Sequence, residues 1–114
     1  MALNDAALVL AANAVDVAVT HFQLYSAATN AGGTTNAVGT RVAVNGTVDG
    51  DGDITWSNTA FTGLPANQTV HSVGYWTAST GGTFLGVSVL SGDTAANAAG
   101  AYTVTTVTET STAT

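Results

Sequence analysis

The sequence predicts a mainly β fold: an antiparallel β-sandwich or jelly-roll-like domain with a short N-terminal α-helix. Thr and Val, which favour strands, recur through most of the 114 residues. Turn signals built from Gly, Asn and Asp interrupt them roughly every 8–12 residues, as in sandwich domains. Helical apolar spacing occurs near the start of the chain. We therefore expect one domain over residues 1–114, with a helix over 4–16, the sandwich over 17–108 and a tail over 109–114.

The N-terminal segment has the features of a capped helix. Asn4 is a favourable N-cap residue, and Asp5 stands in the first turn, where the helix dipole favours an anion. Leu8, Ala12 and Val15 recur at i, i+4 and i+7 and form an apolar stripe. We expect this stripe to lie against the sheet or against another subunit.

Short strand patterns follow the helix, separated by turns and two loops. Asn45-Gly46 is a tight-turn signal. Residues 27–39 and 91–100 lack periodicity and are expected to form exposed loops that are mobile or engaged by a partner. Strands are predicted within residues 17–26, 41–44, 54–56, 59–61, 70–78, 83–90 and 102–108.

Charge is scarce and negative, with one Lys or Arg residue (Arg41), seven Asp or Glu residues and a net charge of −6. Nucleic acids and anionic membranes need several cations, so we expect neither as a partner. Without cysteine there is no disulfide or thiol chemistry. The start of the chain lacks a basic signal-peptide segment, and its apolar stretch is too short to span a bilayer. We expect synthesis in a host cytoplasm and release by lysis.

The acidic segment containing Asp49, Asp51 and Asp53 is the weak candidate for a metal site. Alternating carboxylates resemble the start of a calcium-binding loop. The comparison fails at the sixth position, where Ile54 replaces the required glycine, and at the twelfth, where Ala60 replaces the bidentate glutamate. A hairpin turn explains the alternating glycines and is the favoured interpretation. We expect no metal and no cofactor.

The titratable residues show no recognisable catalytic pattern. His21 and His71 lie in predicted strands beside apolar neighbours, which favours a structural or interface role over a zinc or hydrolase site. The serines lack a nucleophile-elbow motif. Glu109 is the one glutamate, so a carboxylate pair for glycoside hydrolysis is not evident. We expect no catalytic residues and no enzyme activity; a small hydrolase with a His-Asp site is the least supported alternative.

The large aromatic residues have two interpretations. A sugar-stacking platform and a set of core side chains are both compatible with their distribution. The core interpretation is favoured, and the glycan platform stays open as an alternative. The residues concerned are Tyr25, Trp56, Tyr75, Trp76 and Tyr102.

Three segments carry a family resemblance. They are LNDAA (Leu3–Ala7), THFQLY (Thr20–Tyr25), and TVHSVGYWTA (Thr69–Ala78), which continues into GGTFLG (Gly81–Gly86). In sequence and order they resemble small virion proteins of tailed phages that infect actinobacteria, a group of head-fibre or capsid-decoration and tail-fibre proteins. The loop after the second segment, Ser26–Asn30, differs from the acidic, proline-containing turn of that group.

The resemblance implies a non-enzymatic virion component that is commonly oligomeric. We predict a capsid decoration or head-fibre subunit on the exterior of the particle. Its partners would be the major capsid protein and further copies of itself, with a homotrimer as the expected assembly. The alternative is a tail-fibre or minor tail module that recognises a host-surface glycan. The expected contact residues are Leu8, Ala12, Val15, Tyr102 and Val104.

Overall fold

The computed structural model describes residues 3–111, and this part of the chain forms an antiparallel β-sandwich-like domain with one N-terminal helix. The fold class predicted from the sequence is confirmed. The elements are α1 (Asp5–Ala18), β1 (His21–Tyr25), β2 (Ala37–Ala43), β3 (Gly46–Val48), β4 (Ile54–Trp56), β5 (Thr59–Phe61), β6 (Ser72–Trp76), β7 (Phe84–Val89), β8 (Tyr102–Val104) and β9 (Val107–Glu109).

Helix α1 begins where its capping residue predicts. The Asn4 side chain accepts a hydrogen bond of 3.0 Å from the Ala7 backbone N–H, which satisfies one of the free donors of the first turn. The helix continues to Ala18, beyond the predicted end at residue 16. Leu8 and Ala12 are its buried residues, so the predicted apolar stripe anchors the helix to the sandwich.

The first layer is a four-stranded antiparallel sheet in the order β2-β1-β6-β7. Phe22 of β1 lies opposite Tyr75 of β6, and Leu24 lies opposite Val73. These four side chains belong to the hydrophobic core. Strands β2 and β7 form the two edges of this sheet.

The second layer consists of two small sheets, β3-β4-β9 and β5-β8. The sequence predicts one strand over 102–108, but the structure has two, because β8 pairs with β5 whereas β9 pairs with β4. The chain therefore passes from one sheet to the other twice, between β4 and β5 and between β8 and β9. Thr106 and Asn58 meet at this corner, where the threonine hydroxyl donates to the amide oxygen over 3.4 Å.

Trp56 joins the two layers. Its ring lies 5.1 Å from the Tyr75 ring in a stacked arrangement and 5.6 Å from the Phe22 ring in an edge-to-face arrangement. Aromatic pairs of these geometries contribute about 0.5–1.5 kcal/mol each beyond the area they bury. This cluster lies at the centre of the core between the two layers.

Asn45 and Gly46 do not form the predicted hairpin turn. The chain crosses here from β2 in the first layer to β3 in the second, and neither residue has the positive φ of a type I′ turn. Gly46 is needed for close packing instead: a Cβ at this position would lie 2.7 Å from Nε1 of Trp56. The turn prediction was wrong because glycine is required here for a different reason: the crossover passes close to the Trp56 side chain and has no room for a Cβ.

The predicted loop over 27–39 is shorter and more ordered than expected. Its last residues belong to β2, and the Asn30 side chain holds the rest by bonding to the Thr34 hydroxyl and the Thr34 backbone N–H, at 2.9 and 2.8 Å. Gly33 is buried beneath the Phe84 ring. The loop therefore covers the outer face of the first sheet.

The predicted tail over 109–114 was wrong for its first residues. Glu109 ends β9, and Ser111 is fixed by two hydrogen bonds, from its backbone N–H to Asp53 at 2.9 Å and from its hydroxyl to the Gly52 carbonyl at 2.7 Å. Residues 112–114 lie outside the described residues. Residues 109–111 therefore close the sandwich beside the β3–β4 turn.

Candidate interaction surface

Four of the five predicted contact residues lie in the core. Leu8, Ala12, Tyr102 and Val104 are 8%, 4%, 7% and 1% exposed. Helix α1 and strand β8 bury these side chains within the chain's own fold, so they stabilise it and are not available to a partner in this conformation. Val15, at 44% exposed, is the predicted contact residue that stays accessible.

The acidic segment forms a hairpin turn between β3 and β4, as the favoured interpretation predicts. Oδ1 of Asp49 accepts hydrogen bonds from the backbone N–H groups of Asp51 and Asp53, at 2.9 and 3.0 Å. Oδ1 of Asp53 accepts from Ser111. These carboxylates therefore satisfy backbone donors of the turn and of Ser111. Among the described residues, no group of three His, Asp or Glu side chains converges on a metal position.

The two histidines lie beside opposite ends of strand β1. His21 begins β1 opposite Trp76, whereas the backbone N–H of His71 donates to the carbonyl of Tyr25, at the other end of β1. An extended strand of this length separates them by about 13 Å. His21 shares a 2.8 Å hydrogen bond with the Thr20 hydroxyl. The structure therefore does not bring the histidines together in the cleft that the hydrolase alternative requires.

The large aromatic rings form buried clusters rather than a platform. On the outer face of the first sheet, Nε1 of Trp76 donates to the Tyr25 hydroxyl at 2.9 Å, and this hydroxyl donates to the Gly33 carbonyl at 2.8 Å. Burial raises the pKa of Tyr25. The five candidate rings, which include Trp56, are 7% exposed or less, so none offers a free face to a sugar.

Glu109 has a structural partner in Tyr75. The tyrosine hydroxyl donates to a carboxylate oxygen of Glu109 and ties the end of β9 to β6. The pKa of Tyr75 is raised, mainly by burial and further by its hydrogen bond to Glu109 and the charge of that carboxylate. The phenol is therefore neutral at ordinary pH. It acts as a hydrogen-bond donor rather than as a nucleophile.

Strand β7 is an edge strand with exposed apolar side chains. It pairs with β6 on one side, and no other strand of the described residues pairs with it. Leu85, Val87 and Val89 are 44%, 42% and 67% exposed. No charged residue and no proline occurs over 83–91. Edge strands usually carry lysine, other charges or proline, which prevent pairing with a further strand, and β7 lacks these features.

The backbone of β7 presents free hydrogen-bonding groups to solvent. The Leu90 N–H donates to the His71 carbonyl at 2.9 Å, so this pair is a hydrogen-bonded pair of the β6–β7 ladder. Hydrogen-bonded pairs alternate along an antiparallel ladder, which directs the backbone groups of Ser88 towards β6. The N–H and C=O groups of Val87 and Val89 therefore point away from β6, towards the open side.

The exposed valines lie on the outer face of the sheet. Val87 is opposite Gly74 and Val89 is opposite Ser72 on β6. The neighbouring β6 residues Val73 and Tyr75 face the core, so Gly74 and Ser72 face outwards. A Gly and a Ser give the valines little cover. This explains why the two valines are exposed although the sheet is well packed.

Two grooves run beside β7. One, of about 330 Å³, lies between α1, residues 85–87 and residues 109–111. The other, of about 220 Å³, lies between residues 88–90 and residues 102–107. Strand β7 therefore has a groove beside each of its two halves.

Leu85, Val87 and Val89 alternate along the strand predicted within residues 83–90, but this alternation alone does not show that they are exposed. One signal was available, since the absence of charge over 83–91 is compatible with a strand that meets another strand. The position of β7 at the edge of the sheet could not be predicted from the sequence, because strand order depends on pairings between distant segments.

The chain matches no protein-family model, no curated protein and no solved structure. Within the described residues, no helix has the length and apolar content that crossing a bilayer requires.

Proposed function

We propose that this chain is a non-enzymatic structural subunit of a tailed-phage virion. It is a capsid decoration or head-fibre protein on the exterior of the particle, and its partners are the major capsid protein and further copies of itself. A homotrimer is the assembly expected from the family resemblance. The observation that carries the proposal is strand β7, an uncharged apolar edge with free backbone groups, which is the type of surface used for assembly.

The surroundings of the polar residues support a structural role. The carboxylates of Asp49 and Asp53 bind backbone groups of the turn and the C-terminal segment, and Glu109 accepts from Tyr75. The Arg41 side chain donates to two backbone carbonyls. These groups hold the fold together rather than converging in one cleft.

The size of the chain suits attachment in many copies. Its accessible surface is 6064 Å². A contact of standard size removes roughly 800 Å² from each partner, which is about an eighth of this surface. One subunit can therefore contact the capsid and a second copy while most of its surface stays exposed. On a repetitive lattice, modest contacts of this kind are strengthened by multivalency.

The experiment that tests the proposal is quantitative mass spectrometry of purified particles of the phage that encodes the chain, with the copy number scaled to the major capsid protein. Arg41 is the one tryptic cleavage position, so chymotrypsin, which cuts after the aromatic residues, is the suitable protease. A copy number in the hundreds per particle, comparable to that of the capsid protein, is the expected result.

Two other results would redirect the interpretation. A few copies per particle would favour the tail-fibre or minor tail alternative and a search for a host glycan. Absence from the particle would overturn the virion proposal. Antibody labelling of intact particles, with a protein from the particle interior as the control, tests the exterior location.

A further inference from the structure

We infer that β7 is the contact between two copies of this chain. The two β7 strands pair antiparallel about a two-fold axis at Ser88, so that two four-stranded sheets join into one of eight strands. The inference rests on the proposed function in treating the chain as an assembly subunit, but it replaces the homotrimer expected from the family resemblance with a two-fold dimer and specifies the segment and the register of the contact.

The hydrogen-bonding groups of β7 require an extended strand as their partner. The outward N–H and C=O groups of Val87 and Val89 are two residues apart, which is the repeat of an antiparallel ladder. With Ser88 on the axis, Val87 of one copy faces Val89 of the other, and the reverse pair is generated by symmetry. Each pair exchanges two hydrogen bonds, so the outward groups of both valines are satisfied.

The side chains also fit this register. Val87 and Val89 lie on the outer face of their own sheet, and in the pairing they lie beside the same two residues of the second copy. Hydrogen-bonded partners of an antiparallel pair have Cα atoms about 5.5 Å apart, so the valines contact across the new ladder. The most exposed side chain of β7, Val89, thereby gains apolar neighbours.

The lack of charge on β7 makes this strand suitable for contact with a second copy. Each copy carries a net charge of −6, so two copies repel one another wherever their carboxylates approach. Residues 83–91 carry no charge, which makes β7 a place where two copies meet without bringing carboxylates into the contact itself. A cationic partner would find no anion on this strand to recognise.

The other edge of the same sheet is less suitable. Strand β2 contains Arg41, the one cation, and Gly39 has a φ of +72°, which departs from regular strand geometry. The register between β1 and β2 also shifts along the pair. We therefore place the self-contact at β7.

Sedimentation equilibrium of the purified full chain tests the inference with matched variants. Val89→Lys places a charge on the proposed contact. Val17→Lys is the control, because Val17 is an exposed valine of α1 (79% exposed) and the net charge changes equally. We expect dimers for the wild type and for the control. Val89→Lys should raise the dimer dissociation constant by about tenfold or more.

A cysteine variant tests the register. The chain has no cysteine, so Ser88→Cys introduces a single thiol. On the axis, the two residues form a non-hydrogen-bonded pair with Cα atoms about 4.5 Å apart, which is within disulfide range. We expect a disulfide-linked dimer under mild oxidation. Thr40→Cys, on the opposite edge strand β2, should stay largely uncrosslinked.

A monomer at all concentrations would overturn the inference, as would a dimer that both lysine variants weaken equally. A trimer would also overturn it, because pairing about a two-fold axis joins two copies. These outcomes are independent of the copy number in the particle, so the self-contact and the virion role succeed or fail separately.

Discussion

The guanidinium carbon of Arg41 lies 3.7 Å from the centroid of the Trp76 ring. Nη1 of the same side chain donates to the carbonyl oxygens of Ala78 and Gly81, at 2.9 and 2.7 Å. The one cation of the chain therefore ties the edge strand β2 to the turn between β6 and β7, across the intervening strand β1.

We predict that Arg41→Ala lowers the free energy of unfolding by about 1–2 kcal/mol, because it removes a cation–π contact and two charge-assisted hydrogen bonds. Arg41→Lys should recover part of this loss, since an ammonium group keeps the charge but not the planar geometry. Urea unfolding followed by tryptophan fluorescence measures both changes. A lysine variant as stable as the wild type would show that the guanidinium geometry contributes nothing.

The β3–β4 turn contains two glycines with different requirements. Gly52 has a φ of +83°, and a Cβ there would lie 2.8 Å from the Leu8 Cβ of α1, whereas a Cβ at Gly50 meets nothing within 4 Å. We expect Gly52→Ala to destabilise the protein by about 2 kcal/mol or more, from backbone strain and the clash with the helix. Gly50→Ala, the matched control, should change stability by less than about 0.5 kcal/mol. Equal midpoints of thermal unfolding for the two variants would contradict the role assigned to Gly52.

The raised pKa of Tyr75 predicts a loss of stability in alkali. In the unfolded chain a tyrosine ionises with a pKa of 10.0, whereas the folded state retains the proton to higher pH. The stabilisation is therefore complete below pH 10 and decreases above it, by up to about 1.4 kcal/mol per pH unit for this residue. The pH dependence of the urea midpoint measures this decline.

Tyr75→Phe separates the two contributions of the phenol. At neutral pH we expect the variant to be about 1 kcal/mol less stable, because the hydrogen bond to Glu109 is lost. Its decline above pH 10 should be shallower than in the wild type, and the remaining decline comes from Tyr25 and Tyr102, whose pKa values burial also raises. An unchanged alkaline slope would contradict the assignment to Tyr75.

Helix α1 carries one carboxylate near each end, and we expect the two to have opposite effects on the stability of the protein. Asp5 stands in the first turn, where the helix dipole favours an anion, whereas Asp16 lies in the last turn, where no basic residue offsets it. Oδ1 of Asp16 is buried without a hydrogen-bond partner among the described residues. We expect Asp16→Asn to raise the free energy of unfolding by about 0.5 kcal/mol and Asp5→Asn to lower it by a similar amount. Urea unfolding at low and high salt checks both, because added salt should reduce the two differences.

Local features were predictable because they depend on neighbouring residues. The Asn4 cap and the acidic turn after β3 follow from side chains that bond within a few residues, and alternation located most strands. The division of 102–108 into β8 and β9 was not predictable, because it depends on where distant strands β4 and β5 separate.

The candidate surface depended on tertiary structure in the same way. The stripe of Leu8 and Ala12 is equally compatible with a core and an interface. In the structure both side chains are buried within the chain's own fold. Alternation places Val87 and Val89 on one face of a strand but does not show whether that face is covered. They are exposed because their partners on β6 are Gly74 and Ser72.

The pairing of β4 with β9 and of β5 with β8 has a consequence for biosynthesis. Residues 54–61 lie in strands that need residues 102–109 as partners, so the second layer has no complete sheet while the ribosome is still making the middle of the chain. Such long-range pairings slow folding. The chain should therefore acquire its final shape only after residue 109 has left the ribosomal exit tunnel, and shorter nascent chains should lack a complete second layer.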